Sequence, residues 1–132
     1  TAAIGGSAVL GAAVGHDCAL ISLSDLLTPW EAIEKRLLAA AEADFVICLY
    51  NPSSKKRSDY LKKACMLIQR YKADDTVCGI VRQIAREGEA LKLLTLGELK
   101  DTEVDMFSTV FIGNRQTKIV RGHMVTPRGY HI

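Results

Sequence analysis

A chain of 132 residues, 48% hydrophobic and 24% charged, suffices for one domain with a packed core. Seventeen basic against fifteen acidic side chains leave a net charge of +2, too little to point to nucleic acid as a partner. Four cysteines without a CxxC pair read as small buried hydrophobes of a reducing compartment, and His16, His123 and His131 lack ligand-spaced partners, so no metal site is expected.

Residues 1–14 form a Gly- and Ala-rich run without a basic flank, too short to span a bilayer. The run reads as a helix that needs a close neighbour, since Gly5, Gly6 and Gly11 each weaken it by up to about 1 kcal/mol. Opening without Met inside this run, the chain is expected to lie within a longer polypeptide, and a cytoplasmic protein without a membrane partner is expected. Residues 18–22 (CALIS) read as a buried strand. A helix over 29–43 follows, with Thr28 as N-cap, Pro29 in the first turn and Glu31 completing a capping box. Trp30, Ile33, Leu37, Leu38 and Ala41 recur at helical spacing.

Residues 45–50 (FVICLY) are continuously apolar, the mark of a strand covered on both faces. After a loop at 51–54, a second helix begins at Ser58 or Asp59 and runs to about Tyr71, and a strand occupies 76–84. The connection to a strand at 91–95 is too short for a crossover helix, so these two strands are antiparallel. A helical turn at 96–99, a loop or short helix at 101–106 and strands at 109–113 and 118–124 complete the pattern. The order β-α-β-α-β followed by mostly β implies an α/β fold: a mixed sheet with helices packed on its faces and an antiparallel edge.

No catalytic triad, Walker loop, GxGxxG or paired-carboxylate motif is present, so no catalytic residue is assigned. Ligands of open α/β sheets bind beyond the carboxyl ends of strands, and two such ends stand out. At the first, Tyr50 offers a ring for a flat ligand and Asn51 an amide held out of the helical region by Pro52; a plain strand-ending turn explains them as well. At the second, Ser22, Ser24 and Asp25 follow a buried strand and are ligand candidates or turn-forming side chains. Lys55, Lys56 and Arg57 precede a helix, where a carboxylate-bearing ligand would offset their unfavourable position; a solvated loop is the simpler alternative. Asp105, Met106, Gly113, Asn114 and residues 126–130, with Arg128, are also loop-like.

The strings GHD (15–17), SLSDLLTPWE (22–31), ADFVICLYNPSSKKR (43–57), VRQIAREGE (81–89), VDMFSTVFIGN (104–114) and TPRGY (126–130) occur in one order along nearly the whole chain. Together they resemble the precorrin-3B C(17)-methyltransferases of the tetrapyrrole methylase family.

That resemblance implies two α/β domains enclosing a cleft for S-adenosyl-L-methionine, with S-adenosyl-L-homocysteine as product. The implied reaction, in cobalamin (vitamin B12) biosynthesis, methylates ring carbon 17 of precorrin-3B, or of its cobalt form, with ring contraction. It makes residues 18–132 the C-terminal α/β domain and 1–17 a linking helix from an N-terminal domain absent from this sequence, so that the chain alone is expected to be inactive. It places Thr1, Ala2, Tyr50, Asn51, Arg82, Gln83 and Thr95 at the cofactor. Ser24, Asp25, Lys55, Lys56 and Arg57 are the candidates for the small-molecule tetrapyrrole, whose carboxylates favour basic anchors. A homodimer of the full-length enzyme is expected. Two alternatives stand beside this reading: a tetrapyrrole methylase acting at another ring position, and a non-catalytic α/β module.

Overall fold

The apolar runs become the interior of a five-stranded sheet in the computed structural model, which describes residues 11–13, 17–52, 59–84 and 88–127. In chain order the elements are β1 (Gly11–Ala12), β2 (Cys18–Ser22), α1 (Trp30–Glu42), β3 (Val46–Tyr50), α2 (Tyr60–Ile68) and β4 (Val77–Ile84). They continue as β5 (Gly88–Thr95), α3 (Leu96–Leu99), β6 (Ser108–Ile112), β7 (Lys118–Val120) and β8 (His123–Val125).

The main sheet has the order β2-β3-β6-β4-β5. Strand β2 runs parallel to β3, while β6 is antiparallel to both β3 and β4. Strands β2, β3 and β4 therefore point the same way and end at one edge of the sheet. Strand β5 returns antiparallel to β4, as the short connection required. The central position of β6 explains why all five of its residues are buried.

Helices α1 and α2 bury one stripe each, Ile33, Leu37, Ala40 and Ala41 in the first and Leu61, Ala64, Cys65, Leu67 and Ile68 in the second. These stripes pack on Ile21, Ile47, Leu49, Ile80, Val110 and Ile112 of the sheet. Burying each large aliphatic side chain contributes about 2 kcal/mol. On the opposite face Cys48, Val81 and Phe111 meet Ala13 and Met124 beside the small sheet β1-β8-β7. The fold is thus mixed α/β, with every described helix on one face of the main sheet rather than on both.

Three expectations are corrected. Gly11 and Ala12, placed in a helix by their composition, form β1, paired in parallel with Met124 and Val125. Gly11 has φ 128°, and a Cβ there would lie 2.8 Å from His123 Cβ, so glycine serves close approach between strands. Residues 1–10, the rest of that expected helix, lie outside the described residues. The strand expected over 118–124 is instead a hairpin of β7 and β8, turned by Arg121 (φ 52°) and Gly122 (φ 78°), the signature of a primed turn. The capping box expected at Thr28 does not form: α1 starts one residue late, with Pro29 as N-cap and no side-chain cap. Of the two alternatives for 101–106, a loop or a short helix, the structure has the loop.

Candidate functional site

The site is built where β2, β3 and β4 end together. The chain leaving β2 stays attached to β3, because the Leu23 N–H donates to the Tyr50 carbonyl at 3.0 Å. Leu23 is fully buried there and pins the loop. Ser22 Oγ accepts from the Ser24 N–H at 3.2 Å and from Asn51 Nδ2 at 3.3 Å, joining the two strand ends. Ser24 Oγ in turn accepts from the Leu26 N–H at 3.5 Å. Asp25 Oδ2 accepts the Tyr60 hydroxyl at 2.6 Å, and the Tyr60 ring lies 4.5 Å from that of Trp30. The β2–α1 loop is therefore tied to the start of α2 as well as to β3.

Asn51 has φ 52°, the left-handed region that asparagine tolerates better than other side-chain-bearing residues. It is exposed while Pro52 beside it is buried, so the backbone turns sharply and leaves the amide at the edge. Tyr50 ends the otherwise buried β3 at 41% exposure. Alternation puts its side chain on the face of Cys48.

Arg82 lies near the end of β4, in register with Ser108 at the start of β6. Its Nε donates to Asp105 Oδ2 in a close ion pair. Asp105 Oδ1 accepts from the Phe107 N–H at 2.9 Å and from Ser108 Oγ at 3.1 Å. Burial raises the Asp105 carboxyl, but these hydrogen bonds and the guanidinium charge outweigh it and hold the group below its ordinary value. Alternation assigns Arg82 to the face of Ile80, opposite that of Tyr50. Strand β6 separates β3 from β4, so the two backbones lie about 10 Å apart at the edge, with these side chains on opposite faces of the sheet.

Around these polar groups stand five exposed apolar side chains: Leu26 (77%), Leu27 (98%), Tyr50, Met106 (57%) and Phe107 (63%). A single solvated leucine needs no explanation, but five gathered on the loops of one sheet edge mark a surface built to be covered.

The structure brings Ser24, Asp25, Tyr50, Asn51 and Arg82 to this edge, and with them the backbone of Gln83, paired with Glu89. It does not bring Thr95 there. Thr95 pairs with Val77 at the start of β4, the opposite edge of the sheet. Its hydroxyl accepts from the Glu98 N–H at 3.3 Å, and Glu98 returns a carboxylate oxygen to the Thr95 N–H at 2.9 Å, capping α3. Thr1, Ala2, Lys55, Lys56 and Arg57 lie outside the described residues. The sequence reading named Ser22 with Ser24 and Asp25, gave Asp105 and Met106 only as loop-like, and missed Tyr60 and Phe107. An Asp three residues ahead of a Ser, with two apolar residues between them, was the available signal for a ligand-facing turn.

That opposite edge holds a cavity of about 490 Å³ lined by Asp44, Lys72, Asp75 and Arg115 among others. Its buried lysine is already engaged: Lys72 Nζ donates to Asp44 Oδ1 at 3.1 Å and to the Gly113 carbonyl at 2.8 Å. Asp44 also accepts from the Arg115 N–H at 3.1 Å. The cavity also takes in Tyr71 and Val77, but it lies at the amino end of β4, away from the strand carboxyl ends where ligands of open α/β sheets bind, so the carboxyl edge is taken as the ligand site. Among the described residues no helix is long and apolar enough to cross a membrane.

Comparison with known proteins adds three findings. The chain is 49% identical over 130 residues to a probable cobalt-factor III C(17)-methyltransferase of Salmonella typhimurium, covering 98% of this chain and 54% of that relative. It is 41% identical over 135 residues to a precorrin-3B C(17)-methyltransferase of Sinorhizobium sp, covering 98% and 53%. The solved structure of the methyltransferase CobJ superimposes with a TM-score of 0.86 at 32% identity, over 96% of this chain and 53% of that one. The chain spans about half the length of the curated relatives it matches. No protein-family model matches.

Proposed function

Because the chain is strongly homologous to the precorrin-3B/cobalt-factor III C(17)-methyltransferase family and shares its fold over about half the relatives' length, we propose that the polypeptide carrying it methylates a tetrapyrrole. The proposed reaction transfers a methyl group from S-adenosyl-L-methionine to ring carbon 17 of precorrin-3B, or of its cobalt form, with ring contraction, in cobalamin biosynthesis. The described α/β unit, β1 included, would supply one wall of the cleft and a further domain the other. A cytoplasmic, homodimeric enzyme is part of the same proposal.

The observation that carries the reading is Asn51, turned into the left-handed region and hydrogen-bonded to Ser22 at the shared carboxyl edge. The residues there fit the cofactor in kind. Tyr50 offers a half-exposed ring for a flat base, Asn51 an amide, and Ser22 and Ser24 hydroxyls for polar groups. The cofactor, when bound, supplies a methyl group already activated on sulfonium. What remains for this chain is positioning and exclusion of water. Holding the reacting partners in line supplies roughly 7–11 kcal/mol, which makes a dedicated base among these residues unnecessary. Leu26, Leu27, Met106 and Phe107, once covered, would keep water out.

The test is product analysis. The full polypeptide, given precorrin-3B or cobalt-factor III and ¹³C-methyl-labelled cofactor, should place the label at carbon 17 by NMR. Label at another ring carbon would move the protein to a different position-specific methylase, and no transfer or cofactor binding at all would defeat the proposal.

A further inference from the structure

We infer that Asp105 is a positioning residue that presents the Arg82 guanidinium to a ligand carboxylate at the carboxyl edge; the inference rests on reading that edge as the methyl-transfer site. The argument begins with how Arg82 is held. Its stem rises from β4 directly opposite Ser108, and its head meets Asp105 through Nε. A guanidinium is a planar fork with five donors. With Nε engaged, its two terminal nitrogens make an end-on pair whose spacing matches the two oxygens of a carboxylate.

Asp105 is itself fixed. Its Oδ1 holds the Phe107 N–H and the Ser108 hydroxyl, and the Ser108 N–H donates back to the Asp105 carbonyl at 3.2 Å. The carboxylate therefore belongs to a closed turn at the start of β6 and cannot follow a mobile arginine; the arginine follows it. The low proton affinity that these bonds produce keeps the group charged.

The pair is not required by the fold. Strands β4 and β6 are already joined along five residues, Cys78↔Ile112 to Arg82↔Ser108. Both side chains are well exposed, Arg82 at 47% and Asp105 at 38%, where an ion pair contributes little stability. What the arrangement does accomplish is orientation: the guanidinium is held through Nε by the carboxylate that also holds the Phe107 N–H, which leaves its terminal nitrogens for a ligand. Two carboxylate sources are compatible with it, the acid side chains of the macrocycle and the methionyl carboxylate of the cofactor.

Asp105→Asn in the full polypeptide tests this, with KM for the macrocycle and Kd for S-adenosylhomocysteine measured side by side. Loss of one charge-assisted, oriented bond should raise one of these constants about tenfold while kcat stays within about twofold. A rise in KM alone assigns the macrocycle, and a rise in Kd alone assigns the cofactor; both outcomes support the inference. Arg82→Lys should shift the same constant, and the double variant should add nothing further. The inference is overturned if Asp105→Asn leaves both constants at parental values. It is equally overturned if both worsen together with a fall in Tm and the double variant is additive. Parental polypeptide without methyl transfer would instead count against the function proposed above, so the two failures are distinguishable.

Discussion

Asn51 combines two roles that a single substitution confuses. Its φ of 52° strains any residue with a Cβ other than Asn or Asp, so Asn51→Ala would lose about 1 kcal/mol of stability to backbone strain alone. Asn51→Gly relieves the strain and removes only the amide on Ser22. The expected outcome is an Asn51→Gly variant whose unfolding free energy stays within about 1 kcal/mol of the parent but whose calorimetric cofactor affinity falls about tenfold. Intact affinity would reduce Asn51 to a turn residue. Tyr50 and Asn51 were legible in the sequence because an unbroken apolar run ends there on Asn-Pro. The pairing of Asp105 with Arg82 was not: they meet across 23 positions only because β6 pairs beside β4, setting Ser108 opposite Arg82.

Lys72 makes a second prediction at this scale. Burial is the largest influence on it and pulls its ammonium below the ordinary 10.5, even though Asp44 opposes the shift. The unfolded chain thus keeps its proton to higher pH than the folded one. Where the unfolded state binds more protons, stability rises with pH. Relative to Lys72→Met, the parent should gain stability as pH climbs toward 10.5, read by denaturant unfolding at several pH values. A difference that stays flat with pH would contradict the shift. The free thiols of Cys48 and Cys65 are pushed up to about 12 by burial, in keeping with their reading as small apolar core residues.

At the level of elements, two identical spacings had different fates. Thr28 and Glu31, like Thr95 and Glu98, stand three residues apart, and each pair satisfies the capping-box pattern. Only the second forms the box, because Thr95 has extended φ −97° and ψ 165° as β5 runs straight into α3. At the first, Pro29 has ψ 144° and is itself the cap, which leaves Thr28 outside the helix and Glu31 one position short. Which pair would cap depended on where tertiary packing let each helix begin. Thr95→Ala should accordingly cost about 1 kcal/mol of stability and leave cofactor affinity unchanged. A selective loss of affinity would return Thr95 to the site. The same limit explains β7 and β8: continuous β-forming residues around Gly122 read as one strand until the paired positive φ angles fold them back. Strands and helices whose identity rests on long apolar patterns, β2, β3, β4, α1 and α2, were legible to within a few residues; strand order was not, since periodicity carries no information on neighbours.

For the whole molecule, the decisive feature is asymmetry between the two edges of one sheet. One edge gathers strand ends, a left-handed asparagine, an oriented arginine and five exposed apolar side chains. The other carries the Lys72–Asp44 pair, the Thr95 cap and a cavity lined mostly by polar side chains. The apolar-fringed edge fits the proposed role of one wall of a cleft. Amide hydrogen exchange of the full polypeptide with and without S-adenosylhomocysteine tests this most directly. Protection should rise at Ser22–Ser24, Asn51, Arg82 and Phe107–Ser108 and stay unchanged at Thr95–Glu98 and Asn114–Thr117. Protection confined to the Thr95 and Asn114 edge, with Asn51 and Arg82 unaffected, would contradict it.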